Sequence, residues 1–309
     1  MEANALPGAD TITLPAGAYT LTIAGAGENA AATGDLDITD ITGSLTITGA
    51  GTASTVIDGN GAVTGDRVLH ILVGTTAQIS GATIKGGTAP STQSGGGISN
   101  LGTLTLSNVV VTQNTAGVSG NTSGAVGGGI QNSSSALLTM NASTVSNNTA
   151  FRTGGGLSNN GVATLTDSSV TQNVGKGGAG GISNGSTSNL TLNTSTVSDN
   201  QAQTNTGGTG NGGGLGTGGI VAVNDSTISG NTAALSGGGM TGGGTVAITR
   251  STFSGNTATA GNGGGFAMGA GGTLSVTNST FSGNSAGNSG GGISNFSAST
   301  FSPTNSTVV

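Results

Sequence analysis

The chain has 309 residues, of which 64 are Gly, four are Pro and none is Cys; 5% are charged, 2% are aromatic and the formal net charge is -6. An ordinary soluble domain carries about 25% charged residues and about 7% Gly, yet a hydrophobic content of 32% and a mean hydropathy of +0.08 argue against disorder. Five basic residues, Arg67, Lys85, Arg152, Lys176 and Arg250, are too few to neutralise a row of phosphates, which excludes a nucleic-acid partner. The absence of Cys excludes disulfides and thiolate metal sites, and no apolar run approaches the length of a membrane-spanning helix.

Taken from the start, Met1 leads into Glu2, Ala3 and Asn4 with no basic start or apolar stretch of a signal peptide. Alternating strand-like pieces follow at 11–14 (TITL), 19–23 (YTLTI), 45–48 (LTIT) and 78–80 (QIS). They predict atypical opening coils over 1–90 of the same solenoid that residues 91–309 continue, one domain over 1–309.

From residue 91 onward a Gly triplet followed by an apolar residue recurs, ending at Ile98, Ile130, Leu157, Leu215, Met240, Phe266 and Ile293, with the variant Ala179-Gly180-Gly181-Ile182 filling the gap. A second motif, an apolar residue and then Asn three positions later, runs in phase with it from Val111-to-Asn114 through Phe281-to-Asn284. Between them lie alternating stretches such as 103–107 (TLTLS), whose period of two is that of a strand. No stretch shows helical period or caps, and each interior Gly would cost a helix about 1 kcal/mol against Ala. Stacked units of about 25 to 27 residues, each with three short strands, predict an all-β parallel β-helix of roughly ten to eleven coils. Leu106, Met140, Leu165, Leu192, Val223, Ile248 and Val276 then form one inward column, and Val111, Val145, Val170, Val197, Ile228, Phe253 and Phe281 another.

Asn114, Asn148, Asn173, Asn200, Asn231, Asn256 and Asn284 are expected to form a structural ladder, because Asn tolerates left-handed corners and satisfies backbone groups there. A partial second ladder is expected at Asn100, Asn132, Asn159, Asn184 and Asn295.

The segments GDLDIT (34–39), LTITGAG (45–51), TVIDGNG (55–61) and DRVLHI (66–71) resemble the N-terminal coils of bacterial extracellular proteins named for a Cys-Ser-Leu-Arg-Glu-Ala segment. EANALPGADTITLPAG (2–17) resembles the stretch that follows that segment. The later GGGI units and phrases such as TFSGNTA (252–258) are similar to the repeats of chlamydial polymorphic outer membrane proteins. This resemblance implies a right-handed, pectate-lyase-like β-helix outside the cell or on the bacterial surface, with structural or adhesive roles and no catalytic residues to carry over. The segment that gives the family its name and an autotransporter barrel are both missing from the sequence.

Catalysis on sugar polymers needs convergent carboxylates, but eight of the eleven acids lie in the opening coils and only Asp167, Asp199 and Asp225 in the repeats. Arg250 shares a column with Asp225, which predicts a surface ion pair. Asp35 and Asp37 alternate with Leu36 and Ile38, so both are expected to point outward side by side as a weak calcium candidate; otherwise no metal or cofactor is expected. Asp58-Gly59-Asn60-Gly61 reads as a turn. His70, the single His, reads as an ordinary strand residue outside any triad. The Gly-x-Gly-x-x-Gly matches follow from composition.

Tyr19, Phe151, Phe296 and Phe301 are too scattered for a sugar-binding platform. Outward hydroxyls such as Thr105 and Ser107 or Thr164 and Thr166 suggest an ice-binding face that Ala222 and Ala247 interrupt. Two corner insertions, about 115–126 and 201–211, sit between the Asn motif and the Gly triplet. The unit repeating at Asn305-Ser306-Thr307-Val308 stops at Val309, before its corner Asn; this predicts a truncated solenoid with an exposed last coil. The expectation is thus a secreted or surface-displayed structural or adhesive β-helix, contacting glycans or host and matrix surfaces. The alternatives are a polysaccharide-active enzyme and an ice-binding solenoid.

Overall fold

The computed structural model describes residues 4–5, 7–91, 93–118, 124–205, 209–296 and 298–309. Every strand pairing is parallel, and the strands fall into sheets of twenty, ten and eight strands that wrap one core as a parallel β-helix of about nine full turns. One coil shows the plan. Ile130–Asn132 joins the ten-stranded sheet, Leu137–Asn141 and Thr144–Ser146 both join the twenty-stranded sheet, and Thr149–Ala150 joins the eight-stranded sheet. Three sheets therefore accommodate four strand segments per coil, because the widest sheet is bent into two strips.

That bend has a backbone cause. Asn108, Ala142, Asp167, Thr194, Asp225, Arg250 and Asn278 occupy one column and all adopt φ between 45° and 53°. A single left-handed residue reverses the pleat and redirects the strand. The residue after each is Ser from Ser143 onward. Ser143, Ser168, Ser195, Ser226, Ser251 and Ser279 are buried. Each hydroxyl accepts the backbone N–H one coil earlier, as in Ser168 N–H to Ser195 Oγ at 3.2 Å and Ser195 N–H to Ser226 Oγ at 3.0 Å. It also donates to the carbonyl two residues back, 2.8 Å from Ser195 Oγ to Asn193 O. Sequence reasoning missed this serine ladder, although the signal, Ser two positions before each inward Val, Ile or Phe, was present.

The Asn column is a continuous ladder from Asn114 to Asn284, with Nδ2 of each donating to Oδ1 of the next at 2.9 to 3.0 Å. The left-handed residue at this corner is the one before each Asn, namely Gln113, Asn147, Gln172, Asp199, Gly230, Gly255 and Gly283. This corrects the expectation that the Asn itself takes that conformation; the amide instead needs to point inward, along the stack. The second ladder links Asn100, Asn132, Asn159 and Asn184 at 2.7 to 2.8 Å and then ends on Thr217 Oγ1 at 3.1 Å. Asn295 is not in it: Gly242 and then Met268 hold the intervening positions, and Asn295 is exposed.

The first Gly of each triplet is left-handed, for example Gly127 and Gly154 at φ 68°, whereas Ala179 is not. At the other two positions the coils touch through their backbones. A Cβ on Gly129 would lie 2.8 Å from Gly156 O and 2.9 Å from Asn148 Nδ2, so no larger residue fits.

Both predicted inward columns are buried, and Phe253 stacks on Phe281 with ring centroids 4.5 Å apart. Burying each such side chain contributes about 1.5 to 3 kcal/mol, but only against its neighbours in adjacent coils. The opening strands stack in the same register, Asp10–Leu14 on Ser44–Gly49 and these on Thr76–Lys85. One departure is a single helical turn, Gly61–Thr64, entered through left-handed Asn60, where sequence reading found no helix. In the last coil Ile293 and Phe301 are half-buried and Val308 is exposed.

Candidate functional site: a buried polar cluster in the opening coils

Leu36–Ile38 and Leu69–Ile71 are neighbours in the ten-stranded sheet, with Asp37 opposite His70 and, one coil on, His70 opposite Ser99. The period of two sends Leu69, Ile71 and Ile38 into the core and Asp35, Asp37 and His70 to the outer face, as the alternation predicts. They do not reach solvent, however. Residues 24–34 fold back over this face, tied down by Gly25 N–H to Thr64 O at 3.1 Å and Gly34 N–H to Ile23 O at 3.0 Å. Asp35 is 2% exposed and Asp37 0%. The expectation of two solvent-facing carboxylates is therefore corrected, because the covering segment left no periodic trace in the sequence.

The cover is built around Glu28, whose carboxylate accepts N–H groups from Ala30, Ala32 and Thr33 at 2.7 to 2.8 Å. Those bonds, Thr33 and Ala30 foremost, hold its pKa below the usual carboxylate value. From this segment Ala31 N–H donates to Asp37 Oδ2 at 2.8 Å and Gly27 N–H to Asp66 Oδ2 at 3.2 Å. Asn4 braces the other side, its Nδ2 donating to Asp37 O at 2.8 Å and its Oδ1 accepting Thr39 N–H at 3.1 Å.

Five ionisable groups meet beneath the cover. Arg67 Nε pairs with Asp35 Oδ2 and lies 3.8 Å from Asp66 Oδ1, while His70 Nδ1 lies 2.9 Å from Asp37 Oδ1. His70 is thus no ordinary strand residue. Asp35 Oδ1 is buried without a hydrogen-bond partner among the described residues. Burial pushes the Asp35 carboxyl up to about 7, against the pull of Arg67 and with a further push from Asp66 and Asp37. Burial, and then Arg67, lower the pKa of His70, although Asp37 opposes the shift.

Asp37 Oδ1 and His70 Nδ1 thus form an oriented carboxylate–imidazole pair, and ligand atoms of Asp35, Asp37 and His70 all lie within 4.8 Å of one another. Ser99 completes an Asp-His-Ser register, but its hydroxyl bonds Gln131 Oε1 at 3.3 Å and no bond joins it to the imidazole. A nucleophile needs its base within hydrogen-bond reach, so the register alone makes no triad.

The remaining predicted positions are separate. Arg250 grips Asp225 through two bonds of 2.6 and 2.7 Å, the expected surface pair. Asp167 accepts the Thr194 hydroxyl. Asp58 accepts Asn60 N–H at 2.9 Å and lies 3.4 Å from Lys85 Nζ, as a turn residue would. Tyr19 helps line an apolar mouth at the first coils with Ile12, Leu14 and Leu21, Lys176 Nζ sits 4.1 Å above the Phe151 ring, and Phe296 is exposed; they form no platform.

A second site lies at the corner where Ala179 replaces Gly. Arg152, Thr153, Asn205, Thr209, Asn211 and Thr241 line a cleft of about 370 Å³. Asn205 Nδ2 donates to Phe151 O at 2.7 Å and Asn211 Oδ1 accepts Ser236 N–H at 2.9 Å, which fixes the ends of the 201–211 insertion on the scaffold. Residues 206–208 of that insertion, and 119–123 of the other, lie outside the described residues.

Stacked parallel coils with internal Asn and Ser ladders, carrying a covered polar cluster and a corner cleft, define a parallel β-helix repeat protein. No family model, curated protein or solved structure matches the chain. Among the described residues no helix is long and apolar enough to cross a membrane.

Proposed function

We propose that the protein is a secreted or cell-surface β-helix with a structural and adhesive role, built as a rigid rod that presents a ligand-binding corner. The observation that supports this reading is the corner cleft. A lengthened loop is pinned onto a regular scaffold and lines a concave site with one guanidinium and two carboxamides, and loops on rigid scaffolds are where binding groups concentrate. Such groups suit the hydroxyls and carboxylates of an acidic glycan. Charge elsewhere on the repeats is sparse, so the cleft stands out from the neutral faces around it.

The test is a glycan and host-matrix array probed with the purified protein, alongside Arg152→Ala and Asn205→Ala variants. Saturable binding weakened at least about tenfold in both variants is expected. Equal binding by the variants would remove the cleft from the argument, and no binding to any surface would sink the adhesive reading. Turnover of pectin or alginate, with or without calcium, would replace it with a polysaccharide-active enzyme. Asp35, Asp37 and Asp66 are buried beneath residues 24–34, so a polymer chain reaches these three carboxylates only if that segment lifts.

A second reading, an ice-binding solenoid, is favoured by one specific arrangement. On the narrower strip of the wide sheet, Thr144, Ser169, Thr196, Thr227, Thr252 and Thr280 align in register, and Ser146, Thr171, Ser198, Ser229, Ser254 and Ser282 align two residues further on. These two hydroxyl columns are uninterrupted, unlike those broken by Ala222 and Ala247 on the wider strip. Thermal hysteresis in the wild-type protein, lost on changing Thr196 and Thr227 to Tyr, would support it; freezing indistinguishable from that of buffer with an inert protein would end it.

A further inference from the structure

We propose that Asp35, Asp37 and His70 bind one divalent transition-metal ion of the zinc class beneath residues 24–34. The argument starts from charge. Asp35, Asp37 and Asp66 are all at most 2% exposed, and Arg67 is the one permanently cationic group paired with them among the described residues. Fully ionised, the three buried carboxylates and one guanidinium would leave two negative charges, a state that buried groups hold only when paired or coordinated to a metal and otherwise leave by taking up a proton. One dication would balance the fully ionised cluster.

The donor geometry is an independent observation. The candidate ligand atoms lie within 4.8 Å of one another, His70 Nδ1 is 2.9 Å from Asp37 Oδ1, and Asp35 Oδ1 is buried with no partner while Oδ2 is held by Arg67. Tetrahedral ligands at about 2.0 to 2.2 Å from zinc sit roughly 3.3 Å apart, so the His70–Asp37 pair would open slightly and the other ligand separations, none above 4.8 Å, would close toward that distance. The surroundings already fix the ligands in the way metal sites require. Ala31 N–H holds Asp37 Oδ2, Arg67 holds Asp35 Oδ2, and Asp66 is engaged by Gly27 N–H and Arg67 N–H. Two carboxylate oxygens and one imidazole nitrogen suit zinc or manganese. Calcium asks for six to eight oxygens, and the cluster does not supply them. Ligation at His70 Nδ1 would take the place of its hydrogen bond to Asp37 Oδ1 and leave the imidazole proton on Nε2.

The ion would also have a structural consequence. The covering segment is joined to the ligands through Ala31 and Asp37, so occupancy should order residues 24–34 and stabilise the first coils.

The experiment uses the full chain, treated with chelator, dialysed and titrated with Zn²⁺ by calorimetry, with Mn²⁺ and Ca²⁺ titrated in parallel. One saturable Zn²⁺ per chain is expected, with Ca²⁺ at least about tenfold weaker and a rise in thermal midpoint at saturating Zn²⁺. Binding should weaken at least about tenfold in Asp37→Asn and His70→Gln and remain unchanged in Asp225→Asn. Circular dichroism verifies that each variant is folded. Should either variant fail to fold, Co²⁺ added to the wild-type protein provides the same decision, since coordination by these ligands produces visible d–d absorption. No binding of any of the three ions by folded wild-type protein, no Co²⁺ absorption, or undiminished binding in both folded variants would overturn the proposal. Preference for Ca²⁺ would overturn its assignment to the zinc class.

Discussion

Asn173 and Asn200 are joined twice at one oxygen: both the main-chain N–H and the Nδ2 of Asn173 donate to Asn200 Oδ1 at 3.0 Å. Asn173 Nδ2 also donates to Val145 O at 2.9 Å, and its own Oδ1 accepts both N–H groups of Asn148. A fully buried amide thus bonds backbone groups in its own and the preceding coil and ties both to the side chain of the next. Asn173→Ala should leave several of these groups unpaired and cost about 1 to 3 kcal/mol. Asn160→Ala, at an exposed position whose side chain makes no hydrogen bond among the described residues, should cost almost nothing. Urea denaturation of the two variants checks this; coincident midpoints would mean the ladder adds little to stability.

The Gly triplet makes a steric prediction. Gly129→Ala places a methyl group 2.8 Å from Gly156 O and 2.9 Å from Val145 Cγ1, and forced overpacking of this kind costs about 1 to 3 kcal/mol. Gly17→Ala, where the nearest atoms are 3.8 Å away and φ is not positive, should be tolerated. Thermal melts should separate them by several degrees. If Gly129→Ala melts with wild type, the coils have room to part at this corner.

The cluster predicts a pH dependence for metal-free protein. The folded Asp35 carboxyl titrates at about 7, above its ordinary 3.8, so between these values the folded state holds a proton that the unfolded chain releases. Its share of stability is full below about 4 and is lost as pH rises to about 7. His70 acts in the opposite sense: its folded pKa is lowered, so its share is lost as pH falls below about 6.5. Asp35→Asn removes only the first effect. In chelator, its stability relative to wild type should therefore improve progressively from pH 4 to 7; a constant difference across that range would show that Asp35 is ionised throughout.

The Asp225–Arg250 pair should behave differently, although its geometry is better. Arg250 holds the Asp225 carboxyl below its ordinary value, so the pair contributes only above the usual carboxylate range and is lost as pH falls through it. Both side chains are exposed, and solvent screens such pairs. Asp225→Asn should leave the thermal midpoint unchanged at pH 7, and a drop of several degrees there would show that the bend column depends on this contact.

The solenoid was legible in the sequence because its constraints recur every coil. Inward Leu165 and Val170, ladder Asn173 and the backbone-tight Gly triplet each answer a local requirement that repeats down a column, and repetition makes a column visible in one dimension. The serine ladder was equally periodic and was overlooked only because Ser is common throughout the chain.

The cluster is the opposite case. Asp35, Asp37, Asp66, Arg67 and His70 lie one coil apart in space but 29 to 35 positions apart across the strand pair, and nothing in the alternation of 34–39 (GDLDIT) distinguishes an outward carboxylate in water from one under a lid. Sequence alone determined which face of each strand looks out, because a pleat of period two is a property of the chain itself. Only the tertiary structure decided that residues 24–34 cover that face, because burial there depends on how a non-repeating segment returns across the coil stack, and the same fold back turned five scattered polar residues into one charge-imbalanced site.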